Sequence, residues 1–399
     1  MVNIRKPLGR VSFNTARRSV SSYYVTSSVP KSGASVTLRS NLLQVPSYIG
    51  HFSSRMDRPQ NEDRYSASSL TSPAMTSFSP KKQRQGHPGT NDVFCFAVYD
   101  GHGGDQCSKF LADHLAEYVE NCDLASAAEL EQKYADSVGG YWRRRIGALQ
   151  KCYQDVSATD DLAYRSPLSY LTADYQYTVE QSNPCGSTCT AAYSYSHNPE
   201  IPYWSAEATS SLVIGHVGDT RCIIADREGN AHASTRDHHP SSPDESHRIR
   251  RYATNIFTDS FGEERFGILA VTRAFGDKRM KRMGVSAEPE ITQMTISPNE
   301  NKNAFLVLVS DGVTGMASDQ EIVDIVYSTY EQLGARQGTP QRAAQDIVKY
   351  IEAIGGDDNA TCMVVRLPGW GNWNRAVDQT GELREFKLRN SDMTNRRRQ

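Results

Sequence analysis

The chain has 399 residues, 38% hydrophobic and 23% charged, enough to bury a large core in the manner of a globular protein. Its formal net charge of -2 argues against a nucleic-acid binder, which would carry a basic surplus to neutralise phosphates. No stretch approaches the roughly eighteen uninterrupted apolar residues of a membrane span, so none is expected.

The chain opens on a stretch without a single acid before Asp57, carrying Arg5, Lys6, Arg10, Arg17, Arg18, Lys31, Arg39 and Arg55 among many Ser and Thr. Arg-rich, Ser-rich and acid-poor is the composition of a mitochondrial transit peptide, so residues 1–40 are read as a leader and the protein as mitochondrial, in the matrix or the intermembrane space. Residues 66–92, rich in Ser, Pro, Gly and Lys, read as a loop insertion, and 196–209 as a shorter one.

Between these, short runs rich in β-branched and aromatic residues predict strands at 93–100, 211–219, 221–226, 304–312 and 360–367. Apolar residues at helical spacing predict a helix over 105–122 and another from Glu129 to about Val156. Ser318 and Glu321 form a capping box, and Thr339-Pro340 opens a helix that stops at Gly355-Gly356. Helices in blocks between strands indicate α+β with antiparallel sheets. From Gly369 to Gln399 periodicity is lost, and this is read as a polar C-terminal tail. The cysteines at 95, 107, 122, 152, 185, 189, 222 and 362 lack paired spacing, and Cys185 and Cys189 lack a second pair at zinc-site distance, so reduced thiols are expected.

Several strand ends finish on or beside an acid: Asp100-Gly101, Asp219-Thr220, Asp311-Gly312, and Asp358-Asn359 ahead of the last strand. The segment RPQNEDRY adds Arg58, Glu62 and Asp63. Singly each is ordinary turn chemistry. Together, carboxylates delivered to one edge would repel one another unless cations neutralised them, and oxygen-only ligands suit magnesium or manganese.

In order along the chain, RPQNEDRY, FAVYDGHGG, GSTCTAAY, HVGDTRC, DHHP, LAVTRAFGDKRMK, SAEPEI, VLVSDGV and GGDDNATCMVV resemble the metal-dependent protein serine/threonine phosphatases of the type 2C family, a fungal-like mitochondrial branch of it included. The resemblance runs from Arg58 to Val365 and implies one catalytic domain, 41–368, folded as a β-sandwich of two antiparallel sheets flanked by helices. It implies that Asp100 bridges two metal ions, with the Gly101 carbonyl, Asp311 and Asp358 as further ligands. Glu62 and Asp63 act through metal-bound water, and Asp219 is a ligand of a weak third ion. Arg58 is then the phosphate clamp and His102 the general acid. The two ions activate a bridging water against phosphoserine or phosphothreonine.

Two departures stand out. The flap region reads RIRRYATNIFTDSFGEERFG, longer than the family pattern, so substrate choice does not carry over; DGVTG puts Gly315 where the family has a second acid. His238 is expected to serve the DHHP loop rather than a metal. Expected partners are phosphoproteins, for example a mitochondrial metabolic enzyme such as pyruvate dehydrogenase, and the protein is expected to be a monomer. The alternative is a catalytically inactive phosphatase-like scaffold, against which the presence of Arg58, Asp100, Asp311 and Asp358 speaks.

Overall fold

The computed structural model describes residues 22–28, 35–71, 92–147, 149, 162–198, 201–249, 256–258, 264–298, 303–374 and 377–398. Two five-stranded antiparallel sheets form its centre. In chain order the strands are β1 (Ile49–Ser54), β2 (Arg64–Thr71), β3 (Asp92–Tyr99), β4 (Cys189–Ser196), β5 (Ser210–Val217), β6 (Arg221–Asp226), β7 (Ala231–Ala233), β8 (Glu290–Ile296), β9 (Asn303–Val309) and β10 (Ala360–Arg366). One sheet runs β8-β5-β4-β3-β2 and the other β7-β6-β9-β10-β1.

Side chains alternate across each strand, and this sorts the apolar runs into layers. Phe94, Phe96 and Val98 of β3 meet Leu306 and Leu308 of β9 between the sheets. Cys95, Ala97 and Tyr99 point outward and are covered by α1 (Gln106–Glu120), α2 (Ala127–Ser137) and α3 (Leu162–Tyr175). Phe305, Val307 and Val309 are covered by α4 (Asp319–Gln337) and α5 (Pro340–Ala353). Burial on both faces is why these strands read as unbroken apolar runs. The architecture is the expected α+β sandwich, helix on sheet on sheet on helix.

Several local expectations change. The helix expected from Glu129 to about Val156 stops at Ser137. Gly139 and Gly140 follow at positive φ, and a Cβ on Gly140 would lie 2.3 Å from the Arg282 carbonyl oxygen. The insertion expected from 66 begins later, since β2 pairs with β3 as far as Thr71↔Asp92; residues 72–91 lie outside the described residues. The segment 196–209 connects β4 to β5 and seats Tyr203 in the layer between the sheets, against Phe94 and Phe96. Strand pairing of Ser22–Ser28 with Ser35–Asn41 extends the described fold into the stretch read as leader, and residues 1–21 lie outside it.

The C-terminal stretch also carries structure. Trp370 and Trp373 close the outer core of the second sheet around Phe305, Tyr327 and Tyr330. Helix α6 (Gly381–Arg398) follows, held by Arg384 to Asp378 and by Lys387 to Glu321 and the Met316 carbonyl. A helix that is polar nearly all round and anchored at a few points has no apolar stripe to announce it. No described helix is long and apolar enough to cross a membrane, and the described cysteines are all free thiols.

Candidate functional site

Strand register brings the acids to one end of the sandwich. Val309 pairs with both Arg221 and Cys362, so the start of β6, the end of β9 and the start of β10 meet, and with them Asp219, Asp311 and Asp358. In the other sheet Arg64 pairs with Tyr99, which brings Glu62 and Asp63 beside Asp100. These strand ends line a cleft of about 860 Å³ that contains Arg58, Glu62, Asp100, Gly101, His102, Asp219, Asp311 and Asp358. Asp63 does not line it. Its side chain is buried, with one oxygen accepting from the Ser310 hydroxyl at 2.7 Å.

Each approach is fixed locally. The Asp100 carbonyl accepts from Thr188 N at 2.8 Å and Ser187 Oγ at 3.0 Å, while Gly101 and His102 pair as a short strand with Ser187 and Gly186. A Cβ on Gly101 would stand 2.5 Å from the Glu62 carbonyl oxygen and 2.8 Å from Ser108 Oγ, so only glycine fits. Asn359 ties the Arg58 segment down: its Oδ1 accepts from Glu62 N at 2.8 Å, and its Nδ2 donates to the carbonyls of Arg55 at 3.0 Å and Gln60 at 2.9 Å. Arg58 Nη2 then reaches Asp358 Oδ2 at 2.7 Å.

The electrostatics are those of a crowded anionic site. The carboxyls of Asp100 and Asp311 hydrogen-bond to each other. Burial, with the charges of Asp311, Asp63 and Asp219, holds Asp100 well above the ordinary carboxylate range. Burial and then Asp311 push Asp219 up to about 8. Burial raises Asp63 to about 7 against the lowering effect of the Ser310 and Thr361 hydrogen bonds, and burial also raises Asp311. Two carboxyls in contact can both ionise only where positive charge compensates them. The donor set is all oxygen, which fits hard divalent cations. Among the described residues no three His, Cys, Asp or Glu side chains converge closely enough to hold an ion alone, so backbone and solvent oxygens would complete any coordination. Gly315 offers no carboxylate beside Asp311; its amide caps the Asp311 carbonyl at 2.7 Å.

Two residues quoted within motifs gain roles that their spacing did not give. One is Asn359, described above. The other is Asp277, whose Oδ2 lies 2.8 Å from His102 Nε2. Burial works to lower the His102 pKa, but the hydrogen bond and charge of Asp277, with Asp219 and Glu62 behind, carry it above its ordinary value. His238 is a loop residue: it is buried, stacks on His216 at 4.6 Å and accepts from Gly218 N at 3.0 Å, fixing the turn that presents Asp219.

The sequence profile of the family described as Protein phosphatase 2C matches residues 71–360. The chain belongs to the protein phosphatase 2C family. It is 36% identical over 366 residues to Protein phosphatase 2C homolog 4 of Schizosaccharomyces pombe, covering 88% of this chain and 87% of that one. It is 28% identical over 320 residues to Protein phosphatase 1K, mitochondrial, of Xenopus laevis, covering 79% of this chain and 66% of that one. Among solved structures, a serine-threonine phosphatase 2C from Toxoplasma gondii superposes with a TM-score of 0.54 at 20% identity, over 82% of this chain and 96% of that one. A sex-determining protein of C. elegans does so with a TM-score of 0.54 at 22% identity, over 80% and 65%. At those identities the structural likeness bears on the fold, and the fold of this phosphatase 2C family member is theirs.

Proposed function

We propose that this family member is an active phosphoserine/phosphothreonine protein phosphatase that works with two magnesium or manganese ions, in mitochondria. The observation that carries the reading is the convergence of Asp100, Asp219, Asp311 and Asp358 from both sheets on one cleft with Arg58 at its edge. Asp100, the Gly101 carbonyl, Asp311 and Asp358 would hold the ions, with Glu62 contributing through solvent. Asp63, buried behind them, braces Ser310 next to Asp311. Asp219 alone is a poor third site, since Gly315 brings no acid. When bound, divalent cations there supply an activated water and positive charge against the phosphoryl oxygens.

The chain's own groups do the rest. Arg58 is half exposed and can turn its guanidinium from Asp358 to two phosphoryl oxygens at once, orienting the ester. His102 stands at the cleft as the proton donor to the departing serine or threonine oxygen. The mitochondrial reading is supported by the acid-free basic stretch before Asp57 and by similarity to the Xenopus phosphatase whose name carries that location. A phosphorylated metabolic enzyme there, such as pyruvate dehydrogenase, is the substrate class to try first.

The test is phosphate release from a phosphothreonine peptide by the full chain and by Asp311→Asn, with Mn2+ or with EDTA. Turnover that needs the metal and is lost in the variant supports the reading. A folded wild type without turnover under any divalent metal would favour the inactive scaffold.

A further inference from the structure

The acid of LAVTRAFGDKRMK is built into the cleft more elaborately than a solvated loop residue would be. Asp277 lines the cleft, yet only 7% of its side chain is exposed, against 32% for His102 beside it. Its backbone sits at φ 50, ψ 45, a left-handed conformation that few residues besides Gly, Asn and Asp adopt and that here the surroundings hold in place.

The hold is visible. Lys281, fully buried, pairs with the equally buried Asp174 of α3 at 2.9 Å and donates to the Ala274 carbonyl at 2.6 Å. Asp174 Oδ1 accepts from Gly276 N at 2.8 Å, and its Oδ2 from the Tyr134 hydroxyl at 2.7 Å. The residues leading into Asp277 are thereby clamped to α3, and the clamp uses a buried ion pair that an apolar pair could replace if packing were its whole purpose. Space is reserved as well: a Cβ on Gly186 would lie 2.1 Å from His102 Nε2 and 2.4 Å from Asp277 Oδ2. The short strands Gly101–His102, Gly186–Ser187 and Phe275–Gly276 pair side by side and set the three positions next to one another.

We infer that Asp277 is the positioning residue for His102: its carboxylate holds Nε2, through a turn anchored by the Asp174–Lys281 pair, and so assigns Nδ1 as the nitrogen that delivers the proton. This rests on the phosphatase reading above. As the bond between phosphorus and the serine or threonine oxygen breaks, its electron pair goes to that oxygen and the Nδ1 proton joins it. The new bond forms from the oxygen of the attacking water to phosphorus. One proton of that water stays on the phosphate product and the other restores the imidazolium.

An alkoxide leaves poorly without that proton, whereas p-nitrophenolate leaves readily without it. A residue that acts through His102 therefore matters for one substrate and hardly for the other. The experiment compares kcat and KM of the full chain, Asp277→Gly, His102→Ala and the double variant with Mn2+, on a phosphothreonine peptide and on p-nitrophenyl phosphate. Glycine suits the left-handed backbone, and Asp277→Asn, which also tolerates it, is the second variant should glycine loosen the turn.

Asp277→Gly is expected to lower kcat on the peptide by about 30- to 100-fold, and on p-nitrophenyl phosphate by less than about threefold, with KM little changed. Asp277→Asn should show the same asymmetry at about tenfold, because its amide oxygen still accepts from Nε2. His102→Ala should show it too, and the double variant should be no slower than His102→Ala alone. Equal losses on both substrates, or multiplying losses in the double variant, would overturn the inference and leave Asp277 a merely structural residue. An inactive wild type would overturn the phosphatase reading and the inference with it, so the two failures are told apart.

Discussion

Arg58 and Asp358 stand 300 positions apart in the chain and 2.7 Å apart at the cleft. The arginine is 56% exposed and the aspartate 39%, so solvent screens the pair and it adds little to stability. Its value is that the guanidinium is parked beside the carboxylates until an anion competes for it. Arg58→Ala is therefore expected to leave the thermal midpoint within about 2 °C and to raise KM for a phosphothreonine peptide by about tenfold or more, with inorganic phosphate inhibiting less. Arg58→Lys should recover only part, because an ammonium cannot grip two oxygens in a plane. A KM that stays at the wild-type value in Arg58→Ala would remove the clamp role.

The contact between Asp100 and Asp311 makes a prediction of opposite sign in two buffers. Burial and neighbouring charge both disfavour an ionised Asp100. In EDTA near pH 7.5, Asp100→Asn should accordingly raise the thermal midpoint by about 2–4 °C. Excess Mn2+ should raise the wild type substantially and the variant much less, so that their order reverses, since a ligand that binds only the folded state stabilises it in proportion to its affinity. A variant less stable than wild type in EDTA would show that the carboxyls are not in conflict, and the argument for cations from repulsion would fall.

What the sequence made legible follows from its range of sight. Acids that end or immediately precede an apolar strand announce themselves locally, so Asp100, Asp219, Asp311 and Asp358 could be picked out, and antiparallel register then gathered them. Asp277 and Asn359 act through partners 175 and 297 positions away, and nothing in their neighbours marks that. Asp63 was legible as an acid, but its burial was not: its facing depends on Ser310, 247 positions on. Helix α3 escaped because its burial surrounds it too widely to leave a clean amphipathic stripe, with Leu168, Tyr170, Leu171 and Ala173 all buried. Helix α6 escaped for the opposite reason, having almost no apolar face.

The wall that carries Asp277 depends on one further buried charge, and this gives the pH dependence. Glu245, 3% exposed, receives Arg248 at 2.7 Å, Arg273 at 2.6 Å and the Thr272 hydroxyl at 2.5 Å, tying the short helix Pro243–Ile249 to the strand-like run before Asp277. Burial works to raise the Glu245 carboxyl, but the two guanidinium groups outweigh it and hold it well below the usual carboxylate range. A carboxyl whose folded pKa is depressed contributes stability above its unfolded value, 4.5 here, and loses that contribution as pH falls toward the folded value. Glu245→Gln is thus expected to be about 3 kcal/mol less stable than wild type at pH 7, because two partly buried arginines lose their buried counter-charge. Below about pH 4.5 the gap should narrow, because the unfolded wild-type chain takes up a proton at Glu245 that the folded carboxylate still refuses, while the variant has no such group to titrate. Urea unfolding of both proteins from pH 7 down to about pH 3.5 reads this directly, and a gap that stays constant across that range would show that the carboxylate's charge does not hold this wall together.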